Sequence, residues 1–186
     1  MLDKLKKLND FNFEFVGKNK FYYLVIVFFV ASIVGWIYEV LFYLLFDGVL
    51  VNRGFLYGFY VPVYGMGALL IVILLKRFKK NPVIFFVLTM IVTGVLEYAI
   101  GALMFGLYHK TWWSYDGLFL NINGYVCLRS VVSFAVGGLL LIYIVEPLIA
   151  MFCHYIGKVK LAILAYSIIG IFIIDLLCTL IFRHPL

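Results

Sequence analysis

Five apolar stretches organise this chain, at about 21–46, 56–75, 83–106, 125–149 and 161–182, with short polar breaks between them. Crossing a bilayer takes roughly 20 helical residues, so the pattern predicts an all-α polytopic membrane protein, a bundle of about five transmembrane helices. Lys76, Arg77, Lys79, Lys80, Asn81 and Pro82 separate the second and third stretches, and Lys158 and Lys160 the fourth and fifth. The expected organisation is a cytoplasmic or interfacial N-terminal segment over 1–20 and a single transmembrane helical domain over 21–186.

The second stretch is the irregular one. Pro62 removes a backbone donor and clashes with the preceding turn, and Gly54, Gly58, Gly65 and Gly67 cluster around it. A broken helix or a re-entrant segment fits better than a straight helix. Irregular backbone at membrane depth persists only where protein or a watery cavity covers it. A helix kinked at Pro62, with glycines for close packing, is the alternative reading.

Charge placement sets the orientation. Lys4, Lys6, Lys7, Lys18 and Lys20 fall on the same side as the two basic breaks, whereas the other side carries Arg53, Lys110 and Arg183. Basic loops stay inside, which puts the N-terminus in the cytoplasm and the C-terminus outside a bacterial plasma membrane. Tyr108, Trp112, Trp113 and Tyr115 would then lie in the outer aromatic belt, and Phe21, Tyr22 and Tyr23 in the inner one. Leu2, Leu5 and Leu8 among lysines read either as a short helix on an anionic membrane surface or as a disordered basic tail. The first 20 residues are too polar for a cleavable signal peptide.

Composition agrees: 66% of the 186 residues are hydrophobic and 13% charged, a balance of membrane proteins rather than soluble domains. The net charge of +6 therefore reports topology, and no nucleic-acid partner is expected. Cys127, Cys153 and Cys178 form neither a disulfide framework nor a zinc pattern. No cofactor or metal is expected, and no Gly-x-x-x-x-Gly-Lys-Ser/Thr loop is present for ATP hydrolysis.

Against this background Glu39 and Glu97 stand out, each inside an apolar run. A carboxylate there costs about 2.5–3.5 kcal/mol on insertion scales, so such groups face a bundle interior and have partners. At 1.5 Å per residue, Glu39 lies roughly 27 Å, and Glu97 and Asp175 each about 21 Å, from the cytoplasmic starts of their spans. Arg53 and Arg129 lie at the same outer end. Thr93, Gly94 and Gly101 share a face with Glu97, Ser32 and Gly35 with Glu39, Ser133 with Arg129, and Thr179 with Asp175, and small or polar faces pack against helices rather than lipid. The expectation is an outward-facing polar pocket of Glu39, Arg53, Glu97 and Arg129, with Asn52, Asn123 and Asp175 as further candidates. Glu146, beside Pro147 near the inner end of the fourth span, reads as a side chain reaching out to the interface.

The chain also looks duplicated. Gly35 to Glu39, an outer loop, Asn52-Arg53-Gly54 and a span are echoed by Thr93 to Glu97, a longer loop, Asn123-Gly124 and Arg129 in the next span. Both units start inside, so they would be parallel repeats, which transporters use to build sites. Chance similarity between apolar helices is the other account of so short a match.

Three readings of the cluster stay open: a structural ion-pair network, in which arginines fork the carboxylates; a site for a polar or ionic substrate or a proton; and a catalytic site on a lipid or exported substrate with Glu39 or Glu97 as acid or base. No paired nucleophile and histidine in a span favours the third. The loop Trp112-Trp113-Ser114-Tyr115-Asp116 reads as a lid over a cavity or as a belt segment.

Gly35-Trp36-Ile37-Tyr38-Glu39, Val51-Asn52-Arg53-Gly54-Phe55-Leu56-Tyr57-Gly58, Pro62-Val63-Tyr64-Gly65, Trp113-Ser114-Tyr115-Asp116 and Cys127-Leu128-Arg129 together resemble a bacterial family of small membrane proteins, the putative type IV ABC-transporter permeases. The resemblance covers about residues 25–140, with Phe59 where the family has proline. It implies a transport-related permease working with a separate ATPase subunit, besides the lipid bilayer itself; a second copy of the chain is a further partner left open. A membrane-embedded lipid-handling enzyme and an accessory or structural membrane subunit are the alternatives.

Overall fold

The computed structural model describes residues 18–46, 48–50 and 54–182. The expected surface segment before Lys18, the loop residues Asn52 and Arg53, and Arg183 lie outside the described residues. The described elements are helical: α1 (Lys18–Phe46), α2 (Pro62–Leu70), α3 (Pro82–Tyr108), α4 (Leu128–Leu140) and α5 (Glu146–Phe182). π-helical turns at Ile71–Leu75 and Leu141–Val145 follow α2 and α4. Three stretches, Asn19–Leu45, Pro82–Tyr108 and Leu128–Phe182, are long and apolar enough to cross a membrane, which makes this an all-α membrane protein. The 55 residues of the last stretch would extend about 82 Å as one straight helix, far beyond a ~30 Å hydrocarbon core. It is broken at Gly157, whose φ of 76° and ψ of 167° are non-helical. The expected break was a loop around 150–160; a single glycine in a conformation that other residues avoid supplies it instead.

The second stretch differs from its expected bounds. Residues 54–61 are irregular, and helix begins only at Pro62. Proline is well suited to the first helical position, where its missing N–H would have had no intrahelical partner. α3 matches its expected bounds closely. Asn81 caps it, its side chain accepting from the amides of Val83 and Ile84 at 3.1 Å each, and His109 ends it in the left-handed region at φ 54°.

The chain divides into two compact units: one up to Leu69 together with the chain from Tyr143, the other Leu70–Ile142. In the first, α1 packs on α5. Tyr23, Ile26 and Val27 of α1 and Leu161, Ala165 and Ile168 of α5 are buried, and the Phe28 and Phe172 rings meet edge to face at 5.7 Å. In the second, α3 packs on α4 and on the π turn Ile71–Leu75. The buried stripe of α3 is Phe85, Thr89, Thr93, Glu97 and Gly101, a strict four-residue spacing that keeps one face inward. Thr89 and Thr93 donate to the carbonyls of Phe85 and Thr89 at 2.8 and 2.7 Å, so their hydroxyls are satisfied within the helix.

Each unit contains a close helix contact of the same kind. A Cβ on Gly65 of α2 would strike the Ser32 hydroxyl of α1, and one on Gly138 of α4 would lie 2.8 Å from Thr89 Cγ2 of α3. A small residue against a hydroxyl residue lets backbones approach where apolar burial alone gives no drive for helices to associate in lipid.

Candidate functional site

In the second unit the site is built around Glu97. Four-residue spacing places it on the buried stripe of α3, and it is 4% exposed. Its Oε1 accepts the Tyr115 hydroxyl at 2.7 Å and its Oε2 the Ser130 hydroxyl at 2.7 Å. Ser130 sits in the first turn of α4 as half of a reciprocal cap: its amide donates to Cys127 Sγ at 3.4 Å, and the Cys127 amide donates to Ser130 Oγ at 3.1 Å. The carboxyl thus approaches the positive end of α4. Tyr115 arrives from the loop 109–127, which is folded on itself. The Trp113 indole donates to the Tyr125 carbonyl at 2.8 Å, and the Tyr115 amide to the Gly124 carbonyl at 2.9 Å.

The other candidates of this unit lie around the same loop. Asn123, in the left-handed region at φ 53°, donates to the Tyr98 hydroxyl at 2.9 Å. Arg129 is exposed in the first turn of α4, and its carbonyl accepts the Ser133 hydroxyl at 2.9 Å. The aromatic loop segment is therefore fastened to α3, with Tyr115 as the fastener. Tyr115 and Ser130 were not legible as the partners of Glu97; the only sequence signal was the Cys127-x-x-Ser130 spacing of a cap.

In the first unit the best-defined carboxylate is Asp175 of α5, half-buried. Oδ1 accepts the Tyr57 amide at 3.0 Å and the Thr179 hydroxyl at 3.3 Å. Oδ2 accepts the Gly58 amide at 2.9 Å and the Tyr60 hydroxyl. A Cβ on Gly58 would come within 2.9 Å of that oxygen, so glycine is what permits the approach. The Tyr60 ring lies 5.6 Å from Phe29 and 5.9 Å from Phe172. The Val61 amide donates to the Ser32 carbonyl at 3.0 Å. Three amides of the irregular stretch before α2, those of Tyr57, Gly58 and Val61, are therefore satisfied by α5 and α1, as backbone in a membrane must be. Glu39 is half-buried two turns from the end of α1.

A family model described as "Putative ABC-transporter type IV" matches residues 26–180. The chain belongs to this family. In this family member the match takes in Glu39, Glu97, Arg129 and Asp175 and runs well past residues 25–140, where the motifs lie, into α5. No curated protein and no solved structure matches the chain.

Glu146 departs from its expected place. It is 4% exposed and accepts the Tyr23 hydroxyl at 2.5 Å. A buried donor on the facing helix holds the carboxyl inside the unit and replaces the water it would otherwise reach. Among the described residues no group of three or more histidines, cysteines, aspartates or glutamates could hold a metal. The chemistry on view is carboxyl groups receiving hydroxyl and amide donors.

Proposed function

We propose that this chain is the membrane-embedded component of an ABC-type transport system, working with a separate ATPase. It crosses a bacterial plasma membrane five times, with its N-terminus in the cytoplasm and its C-terminus outside. The observation that carries this reading is the family match over residues 26–180, on a chain whose helices are of membrane length. Basic clusters at Lys76–Lys80 and Lys158–Lys160 support the orientation. The polar end of the α3–α4 pair, with Asn123 and Arg129 exposed beside buried Glu97, is the surface offered to a polar substrate. Purification of the tagged chain from its host in mild detergent is expected to bring an ATPase subunit with it. Isolation of the chain alone, with uptake unchanged on deletion, contradicts the proposal.

A second reading is an accessory subunit in which the acids serve only as architecture. The engagement of both Glu97 oxygens by hydroxyls favours it. Glu97→Gln separates the two: a folded protein without transport supports a substrate surface, and loss of folding supports architecture.

A further inference from the structure

The loop 109–127 does not stand above the end of α3. Its tie points on that helix are Glu97, Tyr98 and Gly101: Tyr115 bonds to Glu97, Asn123 to Tyr98, and a Cβ on Gly101 would meet the Tyr125 side chain at 3.0 Å. These positions precede Tyr108, the last residue of α3, by about 10–16 Å along the axis. α3 has 27 residues, about 40 Å in length against a hydrocarbon core of ~30 Å. In the proposed orientation, on which this placement rests, the Asn81-Pro82 cap is the inner end and the tie points fall in the outer part of the core. The loop therefore folds back alongside the outer half of the helix.

Its tip is apolar and uncharged. Between Asp116 and Arg129 there is no Asp, Glu, Lys, Arg or His. Phe119 is 74% exposed, Leu120 63% and Ile122 57%. The one amide side chain in the tip is turned inward: Asn121 Nδ2 donates to the Leu118 carbonyl at 3.0 Å, and its Oδ1 accepts the Gly124 amide at 3.3 Å. Backbone bonds from Leu118 to Tyr115 at 3.0 Å and from Ile122 to Val126 at 2.9 Å close the turn. Leu120 is held at φ +51°, a region leucine avoids, so the fold fixes this display against local preference. Large apolar side chains presented rigidly, without charge, at this depth have lipid as their natural cover. Leu103, Phe105 and Leu107 of α3, likewise exposed, lead into the same loop.

We infer that the tip Leu118–Ile122 is a membrane wedge: Phe119, Leu120 and Ile122 insert into the outer leaflet, at the boundary of headgroups and acyl chains, and anchor the loop that caps Glu97. The test uses the full chain carrying Cys178→Ser, since Cys127 and Cys153 are buried. An environment-sensitive fluorophore is attached to Phe119→Cys, or to Lys110→Cys in the same loop, and the protein is reconstituted into phosphatidylethanolamine/phosphatidylglycerol vesicles. Headgroup-proximal nitroxide lipid is expected to quench the Phe119 label about threefold or more above the Lys110 label, with iodide showing the reverse order. A Phe119 label as open to iodide as the Lys110 label, and indifferent to nitroxide lipid, overturns the inference and leaves the tip facing water or an extracytoplasmic protein. Both replaced side chains are exposed, so neither substitution removes a packing contact on which folding depends.

Discussion

Replacing Asp175 by asparagine is expected to destabilise the protein far more than the small change in shape suggests. Each carboxylate oxygen serves one backbone amide, Tyr57 at 3.0 Å on Oδ1 and Gly58 at 2.9 Å on Oδ2. Asparagine has one oxygen, so either orientation turns its NH₂ against a backbone N–H. One amide is then left without an acceptor, at a cost of about 1–3 kcal/mol. The remaining bonds lose their ionic character, which makes up roughly half of the strength of such bonds. Together these give about 2–4 kcal/mol, with the lower half expected because Asp175 is only half-buried. Tyr60→Phe removes one hydroxyl donor and leaves both amides in place, for about 1–1.5 kcal/mol. Thr179→Val removes the longest contact, 3.3 Å, for about 0.5 kcal/mol or less. Reversible unfolding in mixed micelles, followed by circular dichroism, gives the three values. The reasoning fails if Asp175→Asn is no more damaging than Tyr60→Phe, because the amides would then not depend on the carboxylate.

Three further outcomes are expected. Glu97→Ala and Tyr115→Phe should be non-additive, with a coupling of about 0.6–1.7 kcal/mol in a double-mutant cycle; additivity would mean that the two side chains do not bond. Gly138→Ala should cost about 1–3 kcal/mol through the clash with Thr89 Cγ2, and Thr89→Ser, which deletes that methyl, should recover most of the loss; a Gly138→Ala protein as stable as the parent would show the helices to be farther apart. Tyr23→Phe should lower unfolding stability by about 1.5–3 kcal/mol by removing a donor from buried Glu146, and an unchanged stability would return that carboxyl to the interface.

The helices were largely legible because membrane span length and apolar runs are local signals. α1 and α3 end within three residues of their expected bounds, and Asn81-Pro82 announced the start of α3. The start of α2 was misplaced by six residues, although Pro62 carried the information: apolarity continued through 56–61 while the backbone did not stay helical. Lys158 and Lys160 suggested a loop before the last span, yet Gly157 alone makes the break. The acids were found because charge within an apolar run is conspicuous. Their partners were not, because Tyr115 reaches Glu97 from a loop folded back along its own helix, and the amides of Tyr57 and Gly58 reach Asp175 across more than a hundred residues. Arginine was the natural partner to expect from charge balance, whereas hydroxyl and amide donors become visible only once the loops are folded.

A buried carboxyl fastens the loop 109–127 to α3. Amide hydrogen exchange of residues 109–127 in lipid nanodiscs tests this fastening, comparing the parent chain with Tyr115→Phe, since glutamine at position 97 would keep an oxygen for the Tyr115 hydroxyl. The account predicts slow exchange in the parent and exchange faster by about tenfold or more in the variant, the equivalent of ~1.4 kcal/mol of lost protection. Equal exchange in both proteins would contradict it.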